Sequence, residues 1–502
     1  MASNRTDQGA GMSYSDAQPS VTRPSRRRRI GLWLGPAAFL LILFVGPPSG
    51  IDPAAWHVVG LTTLMAIWWI SEAIPIAATA LLPVALLPLL GVVPIGEAAA
   101  PYANPLVFLF LGGFILAEAI QRWNLHRRIA LQILSLAGQR LDFLVAGFMV
   151  ATAGLSMWVS NTATAALMLP IGLSVLTMIE ERCEDEDARN MAPSLLLGIA
   201  FAANIGGMAT LIGTPPNALL AGYMADLYDV HIGFGEWMMM ALPVALLMLA
   251  LTWWVLTRWV FPVSRRPIAA IHQLLQDQHA DLGPMTRPER RVALVFVLVA
   301  LAWITRPVID AWIPGLMITD PGIAILGALL LFVIPSDSRG QPFLMDWETA
   351  RRLHWGVLVL VGGGLSLGTA IDNSGLASHL TEILRGLSVL PIAVLVAMVA
   401  TTAMLLSHIT SNTATAATLL PLTTALAVTL ALDPLLLAVP VALAASCAFM
   451  LPVATPPNAI VFSSERLQVI DMVRAGARLS VAGILLITAM VFLLAKPLLG
   501  IA

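Results

Sequence analysis

The sequence predicts an all-α polytopic membrane protein with about eleven transmembrane helices, arranged as two inverted repeats. Three observations predict it: an apolar composition, a one-sided distribution of arginine, and a segment that occurs twice.

Of 502 residues, 58% are hydrophobic and only 11% charged, with a mean hydropathy of +0.85. Soluble domains carry roughly a quarter charged residues, and crossing a bilayer as a helix takes about 20 mostly apolar residues. Runs such as 30–45, 54–70 and 479–495 meet that need. The spans read as 30–48, 54–71, 76–93, 105–121, a pair of apolar arms at 141–159 and 163–179, a broken helix at 193–227, and 234–261. A polar stretch at 262–290 follows. The second half reads as 291–308, 321–335, 353–371, paired arms at 389–410 and 414–431, a broken helix at 434–463, and 474–498. The arms fit either full crossings or segments that dip in and return.

The net charge is only −2, and the basic residues are 26 Arg and a single Lys, Lys496. The Arg run at 26–29 precedes the first span and places the N-terminus in the cytoplasm. Counting spans from there leaves only Arg306, Arg385 and Lys496 off the cytoplasmic side and puts the C-terminus outside. The polar residues 1–29 read as a disordered cytoplasmic tail, with no cleavable signal peptide. Cys183 and Cys447 form no motif, so neither a disulfide framework nor a metal site is implied.

Residues 160–170 read SNTATAALMLP and residues 411–421 read SNTATAATLLP, nine identities in eleven at an offset of 251. The same offset aligns Gly112-Gly113 with Gly363-Gly364 and Leu116 with Leu367. TPPN occurs at 214–217 and again at 455–458, offset by 241. Three matches in one order describe a duplication. The repeats run 54–261 and 291–502, with 30–53 an extra first helix and 262–290 a cytoplasmic linker. Each repeat has an odd number of crossings whether its arms cross fully or not, so the second starts from the opposite face. Inverted repeats are the architecture of many secondary transporters, with sites near the midplane between them.

Ser160-Asn161-Thr162 and Ser411-Asn412-Thr413 are good helix caps lying deep in apolar sequence. Non-helical backbone at that depth is tolerated only beside protein or a water-filled cavity. Thr214-Pro215 and Thr455-Pro456 place a cap and a first-turn proline after Gly-rich or irregular segments, so each marks a helix restarting in mid-membrane. Four helix N-termini pointing at one cavity, each with roughly half a positive charge, make an anion site without Lys or Arg. Nearby carbonyl, hydroxyl and amide oxygens suit Na⁺. A small anion moved together with cations follows. The alternative is that small residues here merely let helices pack closely.

These motifs resemble the divalent-anion:sodium symporter family (dicarboxylate/sulfate symporters, DASS). Trp68-Trp69-Ile70-Ser71-Glu72-Ala73-Ile74-Pro75, Thr79-Ala80-Leu81-Leu82-Pro83, Gly112-Gly113-Phe114 and Gly362-Gly363-Gly364 match as well, and the resemblance covers nearly all of residues 54–498. It implies that the arms are re-entrant hairpins with SNT at their tips, a homodimer in the plasma (inner) membrane, and an elevator motion. It implies that Ser160, Asn161, Thr162, Ser411, Asn412 and Thr413 hold substrate carboxylates, with Thr214, Pro215, Thr455 and Pro456 lining the pocket. One Na⁺ falls to Ser156, Ser160, Asn161 and the Gly213 carbonyl, the other to Ser407, Thr410, Asn412 and the Ala454 carbonyl. The expected function is Na⁺-coupled transport of C4-dicarboxylates such as succinate. A sulfate transporter or a cation-independent dicarboxylate exchanger is the alternative within the fold.

His408 departs from the family pattern, where an acidic residue often stands; it reads either as a packed neutral side chain or as a site of altered coupling. Glu118 aligns with Thr369 and reads as structural. Trp237, Trp253 and Trp259 read as interface anchors, and 126–136 as an interfacial amphipathic helix. An enzyme is not expected: neither His57 nor His408 has a carboxylate or Cys at ligand spacing. No P-loop serves an ATP-driven pump. The partners expected are a small divalent anion and membrane lipid, with no nucleic acid and no organic cofactor.

Overall fold

A computed structural model describes residues 26–499 apart from 183–185, 266, 314, 316–317, 339, 377–389 and 496–497. Most of the predicted tail thus lies outside the described residues. Its last four residues are helical, because α1 starts at the Arg run (Arg26–Val45). The first half continues with α2 (Pro53–Ser71), α3 (Ile76–Thr79), α4 (Leu82–Leu89), α5 (Ile95–Ala99), α6 (Pro105–Arg122) and α7 (Leu125–Leu136). Then come α8 (Leu141–Ser156), α9 (Asn161–Arg182), α10 (Glu186–Met208), α11 (Pro215–Tyr228) and α12 (Phe234–Trp254). A linker helix, α13 (Ala269–Ala280), leads to α14 (Arg287–Trp312) and α15 (Asp320–Val333). After a two-stranded hairpin, β1 (Pro335–Ser338) and β2 (Gln341–Phe343), come α16 (Trp347–Ala350), α17 (Trp355–Asn373), α18 (Ile392–Ile409) and α19 (Asn412–Thr429). The chain ends in α20 (Pro434–Ala445), α21 (Pro456–Phe462) and α22 (Val469–Met490).

Among the described residues, ten helices are long and apolar enough to cross a membrane. This is an all-α polytopic membrane protein. The expected eleven spans fall short by those built from shorter pieces. The 76–93 span breaks at Ala80-Leu81, and α15 has 14 residues. Exposure separates the helices: α1 shows most of its surface, whereas 191–208 of α10 is buried throughout. An apolar surface facing outward is what lipid requires, and a fully buried apolar helix belongs at the centre.

Local chemistry sets the ends. Asp52 caps α2 through Ala54 N–H at 2.8 Å, with Pro53 opening the helix. Thr286 and Glu289 form a reciprocal capping box at α14. The two repeats show in matching pieces: hairpins α8–α9 and α18–α19, and broken helices α10–α11 and α20–α21. Close packing uses glycine: a Cβ on Gly112 would lie 2.5 Å from the Ala324 carbonyl carbon, so α6 and α15 meet backbone to backbone.

Two expectations change. Trp237 is not an interface anchor; it is fully buried and donates its indole N–H to Met208 O at 3.0 Å, covering the open end of α10. The 126–136 helix exists as α7, but Arg128 is turned inward. It bonds Gly283 O at 3.0 Å and pairs with Glu289 at 3.2 Å, pinning the linker to α14.

Candidate functional site

The site is assembled from the two hairpin tips. In the first, α8 ends at Ser156, the chain turns through 157–160, and α9 restarts at Asn161. Ser160 Oγ accepts Ala163 N–H at 3.3 Å. In the second, Ser411 caps α19 by accepting Ala414 N–H at 3.1 Å. Behind each tip stands a buried serine. Ser156 Oγ lies 2.6 Å from Asn161 Oδ1 and 2.7 Å from Ala203 O. Ser407 Oγ lies 2.8 Å from Asn412 Oδ1 and 2.6 Å from Ala445 O. One hydroxyl proton cannot serve two acceptors at once, so each trio is an oxygen-rich nest.

The broken helices supply the other two tips. After α10 the chain unwinds over 209–214, and after α20 over 446–455. The asparagine of each TPPN holds the unwound backbone. Asn217 Nδ2 donates to Gly207 O, Met208 O and Thr210 O at 3.2, 3.2 and 2.8 Å. Asn458 Nδ2 donates to Ala448 O and Leu451 O, both at 3.1 Å. These bonds satisfy carbonyls that a continuous helix would have used. The sequence showed TPPN as a repeat, but its asparagine signalled nothing beyond that.

One cavity of about 430 Å³ gathers the predicted residues. Ser160, Asn161, Thr162, Thr214, Pro215, Ser411, Asn412, Thr413, Thr455 and Pro456 all line it. Of the predicted cation ligands, Gly213 and Ala454 also line it, whereas Ser156, Ser407 and Thr410 sit behind the wall, buried. No Lys or Arg is among its described lining residues, so any positive potential comes from helix ends. Both expected cation-ligand sets consist of neutral oxygens, the type hard cations take. They are not identical: Thr410 Oγ1 meets Thr415 Oγ1 at 2.7 Å, whereas Val159 leaves the equivalent Thr164 hydroxyl with no partner.

The cavity also includes Glu72, Phe114, Trp158, Asn204 and His354, which the sequence did not place there. Trp158 stacks near Phe234 and Trp303, with ring centroids 5.8 and 6.5 Å away. His408 is held by backbone groups on both sides of its ring. Its Nδ1 contacts Met404 O at 2.7 Å and its Nε2 accepts Met450 N–H at 3.1 Å. Both ring nitrogens are occupied by the backbone, which fixes the neutral ring with its proton on Nδ1.

Paired hairpins and paired broken helices meeting at a polar cavity inside an apolar bundle define an inverted-repeat membrane transporter. The model of the sodium:sulfate symporter transmembrane region matches residues 27–501, and the chain belongs to that family. It is 40% identical over 478 residues to the sodium-dependent dicarboxylate transporter SdcS of Staphylococcus saprophyticus, covering 94% of this chain and 92% of that one. The protein of the same name from Staphylococcus aureus strain USA300 is also 40% identical over the same coverage. Among solved structures, the crystal structure of the Alcanivorax borkumensis YdaH transporter matches with a TM-score of 0.55 at 15% identity, covering 87% of this chain and 99% of that one. That likeness concerns the fold alone.

Proposed function

We propose that the protein is a secondary carrier of small divalent anions, C4-dicarboxylates such as succinate first among them, coupled to Na⁺. The observation that carries the reading is the convergence of two SNT tips and two TPPN tips on one cavity whose described lining has no fixed cation. Free N–H groups at helix starts bind anions directly. Two separate hairpin tips suit a dianion with a charge at each end better than a single-centred one, so sulfate is the second reading. The name of the SdcS relatives, 40% identical over 94% of the chain, supports both the substrate class and the ion.

In this reading Ser160, Asn161, Thr162, Ser411, Asn412 and Thr413 bind the carboxylates, and Thr214, Pro215, Thr455 and Pro456 close the pocket. Ser156, Ser160, Asn161 and the Gly213 carbonyl take one Na⁺. Ser407, Thr410, Asn412 and the Ala454 carbonyl take the other. Each bound cation adds positive charge beside a tip, so anion affinity rises with Na⁺, which is the thermodynamic content of coupling. His408, held by backbone on both nitrogens, takes no part in the coupling.

The repeats at 54–261 and 291–502 would carry the halves of the site through the plasma membrane of a homodimer, N-terminus inside and C-terminus outside. Glu72 follows the end of α2 and His354 precedes α17, which that orientation makes cytoplasmic ends; both line the cavity. The opposite side is tied shut. Asn104 bonds Asp226, Phe234 N–H donates to Asp320 Oδ2 at 2.8 Å, and Arg306 pairs with Asp320 at 2.8 Å. This is an inward-open arrangement, and an elevator displacement of the hairpins and broken helices would break the Asn104–Asp226 tie, the one of the three that reaches a broken helix. The test is uptake into proteoliposomes of labelled succinate, citrate and sulfate with and without an inward Na⁺ gradient. Uptake that needed internal dicarboxylate and ignored Na⁺ would replace symport by exchange.

A further inference from the structure

We infer that Asn204 is a positioning residue that fixes the Thr455 hydroxyl as a hydrogen-bond donor to the bound anion, making the two ends of the pocket chemically different. The inference rests on the anion site proposed above. Asn204 lies in α10 of the first repeat, is fully buried, and reaches the cavity wall. Its Nδ2 donates to Thr455 Oγ1 of the second repeat at 3.0 Å. Thr455 Oγ1 also accepts Asn458 N–H at 3.4 Å as the cap of α21. A hydroxyl oxygen has two acceptor sites and one proton. With both acceptor sites filled, the remaining capacity of Thr455 is to donate, and it stands on the wall of the anion cavity.

The other half of the Asn204 amide explains why it acts through Thr455. Asn204 Oδ1 is buried and has no partner among the described residues. Sealed from the cavity, that oxygen offers the anion nothing, so the amide reaches the ligand only through its Nδ2 bond to Thr455.

The first repeat has no such device at Thr214. That residue lines the same cavity, but its side chain makes no cap bond to α11. The absence follows from sequence. Ser156 contacts Ala203 O and Ser407 contacts Ala445 O, so Asn204 corresponds to Ser446 by these contacts and to Ala445 by the TPPN offset. Neither carries an amide. Thr214 remains free to donate or accept, while Thr455 only donates. The pocket is thus built from repeated motifs but reads its ligand asymmetrically.

The experiment measures Na⁺-driven uptake of labelled succinate in proteoliposomes for wild type, N204A, T455V and the double variant. N204A is expected to raise KM about tenfold, the value of one charge-assisted hydrogen bond. Its maximal rate and half-saturating Na⁺ are expected to stay within twofold. T455V removes the same bond, so adding N204A to it should change KM less than twofold. A KM for N204A within twofold of wild type overturns the inference. So does a double variant whose KM is the product of the two single effects. Na⁺-dependent thermal stabilisation in detergent reports whether each variant is folded; should N204A fail that test, N204S is read against the same limits. Wild type without Na⁺-driven succinate uptake would instead remove the reading of the site itself.

Discussion

Gly207 offers a sharp perturbation because it stands directly behind the first tip. A Cβ built at Gly207 would lie 2.5 Å from Asn161 Oδ1, 3.0 Å from its Nδ2 and 3.1 Å from its Cγ. Ordinary contact begins near 3.4 Å, so G207A must push the Asn161 amide by about 1 Å. That amide oxygen is also the atom 2.6 Å from Ser156 Oγ, so the shift strikes one proposed cation site and one proposed carboxylate contact together. Misplacing a binding group by about 1 Å costs on the order of 100-fold, while overpacking a wall costs only about 1–3 kcal/mol of stability. G207A should therefore fold, with a melting temperature a few degrees lower, and transport at about 1% of wild type or less. The control is G364A, whose Cβ would press on the flexible Leu219 side chain at 3.2 Å and meet Ala417 Cβ at an ordinary 3.9 Å, and which should retain most activity. Wild-type uptake by G207A, with Na⁺ dependence intact, would refute the placement of Asn161 at the working centre.

N161A and N412A should each abolish uptake, since each removes an amide shared by a proposed anion site and a proposed cation site; normal initial rates in either would take that tip out of the site. H408A deletes the acceptor of Met450 N–H and should cost about 1–3 kcal/mol of stability, read as a lower melting temperature. The variant's Na⁺ dependence and its rate profile between about pH 6 and 8 should match wild type, because the ring carries no functional proton. The Arg122 guanidinium beside Asp346, with Thr349 N–H, holds that carboxyl down at about 2. A depressed folded value contributes stability above the ordinary carboxylate range and loses it as pH falls towards about 2. The melting-temperature gap between wild type and D346N should hold from about pH 7 to 5 and narrow below about 4; a gap that closes by pH 6 would contradict the pairing.

The parts of this fold that were legible in the sequence are those that duplication wrote twice. SNT and TPPN located all four tips, because caps and prolines in apolar surroundings have few structural uses. What stayed hidden was long-range. Nothing local distinguishes Asn204 from the small residues around it, and its meaning depends on Thr455 arriving from the other repeat. Trp237 looked like an interface anchor because it sits near a helix start, yet tertiary packing turned it onto Met208 O. His408 showed the opposite limit: its chemistry was open in sequence and closed by two backbone partners. The 76–93 span read as one helix because composition registers apolar length and not the break at Ala80-Leu81.

The central claim, that neutral helix tips bind a dicarboxylate with help from Na⁺, is tested most directly by measuring succinate affinity against Na⁺ concentration on purified protein. The account predicts that succinate affinity rises steeply from Na⁺-free choline medium to saturating Na⁺, and that succinate tightens Na⁺ binding by the same factor. Succinate affinity independent of Na⁺ would contradict it.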